Sequence, residues 1–147
     1  MTASVPFSDE MLIGAGMTAA TMFFHAVIIS ALAAAFRATK GRVWGPARFV
    51  RDAVVLSLES LILMAAHTAE VLAWAKLFLH VEAFETFEQS FYFSAVAYTT
   101  LGFGDMLLPE EWRILAGAIA ANGLLLFGLS AAFLLESAAR LRIGETR

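Results

Sequence analysis

The chain contains no cysteine among its 147 residues. Disulfides, zinc–thiolate sites and thiol catalysis are therefore excluded. Charge is also scarce. Asp, Glu, Lys and Arg make up 16% of the sequence, against about 25% in soluble domains. With ten basic residues, thirteen acidic ones and a net charge of −3, a basic-patch nucleic-acid binder is excluded. No nucleophile–base constellation is visible, and the three histidines lie in or next to apolar runs, so a soluble enzyme is excluded too. There is no internal repeat, low-complexity tract or linker to a soluble domain.

What the chain does have is apolar surface. Hydrophobic residues make up 60%, against about 45–50% in soluble domains, and the mean hydropathy is +0.75. A soluble fold of one domain could not bury so much, and disorder is incompatible with it. These numbers indicate an all-α membrane protein.

Residues 11–36 carry no charged side chain unless His25 is protonated. At 1.5 Å per residue such a helix crosses a hydrocarbon core of about 30 Å with some tilt. The run is too long for a signal-peptide core, and its flank, Asp9-Glu10, is acidic where a signal peptide is basic. It is read as a retained transmembrane helix, and Gly14, Gly16, Ala19 and Ala20 would allow close packing. A second span covers 53–75, within an outer helix drawn at 52–80. It carries Glu59, His67 and Glu70. A third covers 114–135, within an inner helix drawn at 112–138. Between them lies an amphipathic stretch, 84–98, then Thr99-Thr100-Leu101-Gly102-Phe103-Gly104-Asp105, then a turn at Pro109. The stretch is short for a free-standing span. A re-entrant helix within 81–98 fits better, because irregular backbone survives at membrane depth only where protein or water covers it.

Charge placement selects one topology. The 37–51 loop holds Arg37, Lys40, Arg42, Arg48 and Arg51 and no acid, and the 139–147 tail holds Arg140, Arg142 and Arg147 against Glu145. The positive-inside rule puts both in the cytoplasm. The 1–10 segment then lies outside, as does 76–113 with Glu82, Glu85, Glu88, Asp105, Glu110 and Glu111. The reading is an integral protein of a bacterial inner membrane, N-terminus outside and C-terminus cytoplasmic. The basic loop suits anionic lipid head groups, although positive-inside anchoring explains it equally well.

The 99–105 segment carries the chemistry. Its two glycines permit backbone conformations that other residues resist. Alternating such conformations turns successive carbonyls to one side, and four copies around an axis would stack rings of oxygens able to replace a cation's hydration shell. The preceding helix points the negative end of its dipole the same way.

Here the sequence resembles the pore module of tetrameric potassium channels, over about residues 84–135. The resemblance implies a passive potassium-selective channel, a homotetramer with three spans per chain plus a pore helix, and potassium ions but no organic cofactor. The ion sites would be Thr100, Leu101, Gly102 and Phe103, supported by Thr99, Gly104 and Asp105. Tyr92 and Phe93 fall on the aromatic cuff around the filter, and Trp112 at the start of the inner helix. Gly123 falls on its hinge, followed by Phe127-Gly128. Leu101 stands for the usual Val or Ile. Phe103 stands for Tyr and lacks the hydroxyl that would bond the cuff. Val96 occupies a place where some members carry a Glu that pairs with the Asp behind the filter.

Other residues leave alternatives open. Glu59, His67 and Glu70 share one helical face, since offsets of eight and eleven residues correspond to about 80° and 20°. They form either a proton- or metal-sensitive gating site or an interhelical hydrogen-bond cluster, with His25 as a possible member. His25 and His80 as a haem or metal pair lack ligand spacing. Asn122 faces either the cavity or a neighbouring subunit. Phe127, Ala131, Leu134 and Leu135 form either a hydrophobic gate or ordinary packing. The first span has no Arg or Lys repeat, hence no usual voltage sensor, and it is expected to pack outside the second. About ten residues follow the last span, too few for a gating domain. Two rival functions remain: a non-selective cation pore of the same architecture, and a haem- or metal-binding membrane sensor without conduction.

Overall fold

The computed structural model describes residues 6–38 and 46–143. Within them lie α1 (Phe7–Ala38), α2 (Pro46–His80), the short α3 (Phe87–Tyr98), a 3-10 turn (Glu110–Trp112) and α4 (Arg113–Ile143). No strand occurs among the described residues. Lys40, Arg42, Glu145 and Arg147, part of the charge argument above, lie outside them.

Two helical segments, Phe7–Arg37 and Glu110–Leu141, are long and apolar enough to cross a membrane. They belong to α1 and α4. α2 is as long, at 35 residues, but Glu59, His67 and Glu70 interrupt its apolar run. The chain is thus an all-α membrane protein with two candidate spanning helices on composition.

Local chemistry sets the helix ends. α3 begins at Phe87, later than the amphipathic pattern suggests, because Thr86 and Gln89 form a capping box. The Gln89 N–H donates to Thr86 Oγ1 at 3.2 Å and the Thr86 N–H to Gln89 Oε1 at 3.3 Å. α2 ends in a Schellman turn. Glu82 takes φ 55°, its N–H donates to the Leu79 carbonyl and the Ala83 N–H to that of Phe78.

α1 and α4 run parallel. Their pairings step along both helices together, from Glu10 against Ile114, through Gly14 beside Leu115 and Ala118, to Thr21 on Asn122 and His25 on Ser130. α2 runs antiparallel to both, with His67 on Ser130 and Glu59 on Ser137, and Arg48 Nη2 donates to the Leu141 carbonyl at 2.7 Å. The start of α2 and the end of α4, both basic, therefore share one end of the bundle. The core is aromatic: Trp74, Phe78, Phe93, Tyr98 and Trp112 close on Leu115, Ile119 and Leu126.

α1 packs mainly along α4 and less on α2, which corrects the expectation that it lies outside the second helix. The cause is a stripe of polar and small residues on α1. At its N-terminal end the buried Glu10 carboxylate accepts the N–H groups of Ile114 (2.7 Å) and Leu115 (3.2 Å). These are orphan donors of the first turn of α4, at the positive end of its dipole. Glu10→Ala is expected to cost about 0.5–2 kcal/mol, as removal of a helix cap does. Hydrogen exchange at Ile114 and Leu115 should accelerate, while the far end of α4 keeps its protection.

Candidate functional site

The end of α3 and the loop after it are built by capping. The carbonyls of Ala95, Val96 and Ala97 have no partner inside α3, and the following segment supplies donors. Thr99 N–H reaches Ala95 at 3.1 Å, Thr100 N–H reaches Ala97 at 3.0 Å, and the N–H groups of Leu101 and Gly102 share Val96 at 3.0 and 3.3 Å. The Thr99 hydroxyl adds a bond to Ala95 at 2.7 Å. Val96 thus anchors the loop through its backbone carbonyl.

From this anchor onward the backbone alternates, starting at Thr100 within it. Thr100 (φ 59°), Gly102 (φ 55°) and Gly104 (φ 76°) are left-handed, whereas Leu101 and Phe103 between them are not. Left-handed φ suits glycine and strains threonine, so the loop holds Thr100 there against its preference. Behind the loop, the Tyr92 hydroxyl donates to Asp105 Oδ2 at 2.6 Å. The Asp105 carboxylate raises the Tyr92 phenol above its usual value, so the bond persists below the ordinary phenol range and is lost only as pH rises through the raised value. Phe103 lacks a hydroxyl, and this bond ties the far end of the loop to α3 instead. Phe93 packs into the core of the chain against Phe78 and Phe84, with ring centroids 5.4 and 5.1 Å away.

A second polar assembly joins all four helices. His25 Nδ1 lies 2.8 Å from Glu70 Oε1 and its Nε2 lies 2.9 Å from Ser130 Oγ. His67 Nε2 reaches the same hydroxyl at 3.0 Å, and its Nδ1 stands 2.8 Å from the Tyr98 hydroxyl and 3.3 Å from Glu70 Oε2. Tyr98, the last residue of α3, donates to Glu70 Oε2. His25, His67 and Glu70 are 0%, 5% and 1% exposed.

The shared face of α2 is therefore divided. His67 and Glu70 meet His25, whereas Glu59 sits apart and accepts a bond from Ser137 of α4 at 2.7 Å. His80 is exposed at the end of α2, away from the buried His25. Asn122 faces neither a cavity nor a neighbour: it is buried, and its Nδ2 donates to Thr21 Oγ1 of α1 at 2.7 Å. Phe127 is half-buried and stacks on His67, with centroids 4.2 Å apart. Ala131 and Leu135 are exposed and Leu134 is half-buried. At Gly123 a β-carbon would lie 2.0 Å from the Tyr98 carbonyl oxygen. Only glycine lets the end of α3 approach α4 so closely. Tyr98, Ser130, Ser137, Thr21 and the capping role of Glu10 are absent from the sequence reading. A weak signal exists for two of them: Asn122, Ser130 and Ser137 recur every seven or eight residues in an otherwise apolar helix.

No curated protein and no solved structure matches the chain at a significant level. A family model described as "Ion channel" matches residues 66–140, just over half of the chain. The match takes in the second part of α2, the whole of α3, the alternating loop and nearly all of α4, and it leaves α1 out. A short helix that ends on a glycine-bearing loop, held between two longer helices, is the architecture this family describes, and the chain belongs to the pore-loop ion channels.

Proposed function

We propose that the protein conducts potassium selectively through a filter built from four copies of residues 99–105. The observation that carries this reading is the alternation of left-handed backbone at Thr100, Gly102 and Gly104. Such alternation aims successive carbonyls at one line, and the oxygens of Thr100, Leu101, Gly102 and Phe103, with the Thr100 hydroxyl, would replace the water around the ion. Thr99, Gly104 and Asp105 hold the ends of the segment.

A single chain supplies only one wall of such a column. Leu101, Phe103 and Leu107 are 57%, 65% and 69% exposed in the single chain, a costly arrangement that neighbouring copies would relieve. A cavity of about 340 Å³ between the loop, α3 and α4, lined by Tyr92, Val96, Met106 and Ala116 among others, suits side chains of the next subunit. A closed fourfold ring satisfies every copy alike. Three helices per chain cross the membrane on this reading. The ionisable groups in the 53–75 span of α2, Glu59, His67 and Glu70, are buried against α1 and α4, while Val54, Leu58, Leu61, Ile62 and Met64 are exposed as lipid contacts would be. The basic end of the bundle, shared by the start of α2 and the end of α4, then faces the cytoplasm.

The test is cation uptake into liposomes holding the purified protein, with native mass measurement of the assembly. The reading expects a tetramer and uptake of potassium well above sodium. Equal uptake of the two ions would make the protein a non-selective cation pore, and a tetramer that passes neither would contradict conduction.

A further inference from the structure

We propose that His25, His67 and Glu70 bind one transition-metal ion, zinc or a close chemical relative, and so fasten α1 to the pore module. The site is independent of the potassium filter. It lies among the buried polar side chains of the four helices, and the family match does not extend to α1, which supplies one ligand.

The first argument is convergence. One nitrogen from each imidazole and one carboxylate oxygen lie within 4.8 Å of one another. The imidazoles are oriented alike. Each turns Nδ1 toward the Glu70 carboxylate, at 2.8 Å for His25 and 3.3 Å for His67. Each turns Nε2 to the single hydroxyl of Ser130. Ligand histidines typically hold the metal with one nitrogen and an outer partner with the other, which fixes the tautomer. Tetrahedral zinc with bonds of about 2.0–2.2 Å sets its ligands roughly 3.3–3.6 Å apart; the His67–Glu70 separation of 3.3 Å matches this, and the 2.8 Å between His25 and Glu70 would open by about half an ångström. The Tyr98 hydroxyl, 2.8 Å from His67 Nδ1, supplies an oxygen at the same point.

The second argument is proton counting. Five contacts close a ring: Glu70–His25, His25–Ser130, Ser130–His67, His67–Tyr98 and Tyr98–Glu70. Neutral His25 and His67, Ser130 and Tyr98 bring one proton each, and ionised Glu70 brings none. In that protonation state one contact is left with lone pair against lone pair. An ion between the two Nδ1 atoms and Glu70 removes the conflict. Both imidazoles then carry their proton on Nε2 and donate to the two lone pairs of Ser130, whose own hydroxyl proton turns out of the ring, and Tyr98 still donates to Glu70.

The third argument is ligand type. Two imidazoles and a carboxylate suit zinc, cobalt, nickel or copper, whereas calcium and magnesium take oxygen. His67 and Glu70 stand three residues apart on one helix, a spacing that places both on one metal in bundle proteins.

The full-length protein in detergent, stripped with chelator and titrated with cobalt(II), tests the proposal. One cobalt per chain is expected, with the intense visible bands of tetrahedral coordination, displaced by zinc. Protein purified from zinc-supplied cells should carry one zinc per chain. Glu70→Gln and His25→Gln should abolish stoichiometric binding, Ser130→Ala should weaken it about 10–100-fold, and His80→Ala should leave it unchanged. Absence of metal by both routes in the unaltered protein overturns the proposal and leaves a proton to complete the ring. Binding that survives both Glu70→Gln and His25→Gln overturns it as well.

Discussion

Replacing Gly123 by Ala is expected to disrupt the pore region, with a loss of about 3 kcal/mol, the upper part of the usual range for overpacking. The added β-carbon would sit 2.0 Å from the Tyr98 carbonyl oxygen, 2.8 Å from its carbon and 3.0 Å from the ring. Two of those atoms are backbone at the end of α3 and cannot rotate away, so α3 must shift relative to α4. The 99–105 loop hangs from the last turn of α3, and its anchor bonds to Ala95, Val96 and Ala97 would be strained with it. A thermal midpoint in detergent should fall by roughly 10 °C. Gly16→Ala is the control: a β-carbon there meets nothing within 4 Å. An exchange in a helix interior that clashes with nothing is neutral or gains up to about 1 kcal/mol. This contrast separates close approach from hinging, since a glycine needed only for flexibility would leave the midpoint unmoved when replaced.

Gly102→Asp is the second large effect, and it falls on function rather than folding. Gly102 holds φ 55°, a conformation that side chains resist, and its N–H makes the last and longest of the anchor bonds, 3.3 Å to the Val96 carbonyl. Four carboxylates at the centre of a proposed tetramer would strain the backbone, obstruct the carbonyl column and repel one another. Potassium flux should fall to background, while membrane insertion and the α1–α4 packing persist, because Gly102 has no contact with either helix that a β-carbon would meet. Unchanged flux would remove residues 99–105 from the conduction path.

The parts of this architecture that follow from local pattern are legible in the sequence. The 99–105 loop follows a short helix and precedes a long apolar one, and its glycines alternate. The start of α3 is also encoded locally, in Thr86-x-x-Gln89, although the apolar pattern alone draws the helix back to residue 84. The polar assembly was visible only in part. His67 and Glu70 announce themselves as ionisable residues in an apolar run, but a helical wheel places Glu59 with them. The structure separates Glu59 because Ser137 lies at its level of α4 and Ser130 at that of His67. Ser130 is 105 residues from His25, and no local rule links them. Tyr98 reads as one more aromatic of the pore helix until its hydroxyl is seen on Glu70. The docking of α1 was recoverable in principle. Glu10, Gly14, Thr21 and His25 fall at intervals of four, seven and four residues, one stripe of small and polar groups along the helix. Apolar residues surround that stripe on every side, so hydropathy alone hides it.

The account rests on potassium selectivity, and the reversal potential of the purified protein in a planar bilayer measures it directly. With a tenfold potassium gradient balanced by sodium, a potassium-selective filter reverses near the potassium equilibrium potential, about 59 mV from zero. A pore that treats the two ions alike reverses at zero, and that result would contradict the filter assigned to Thr100, Leu101, Gly102 and Phe103.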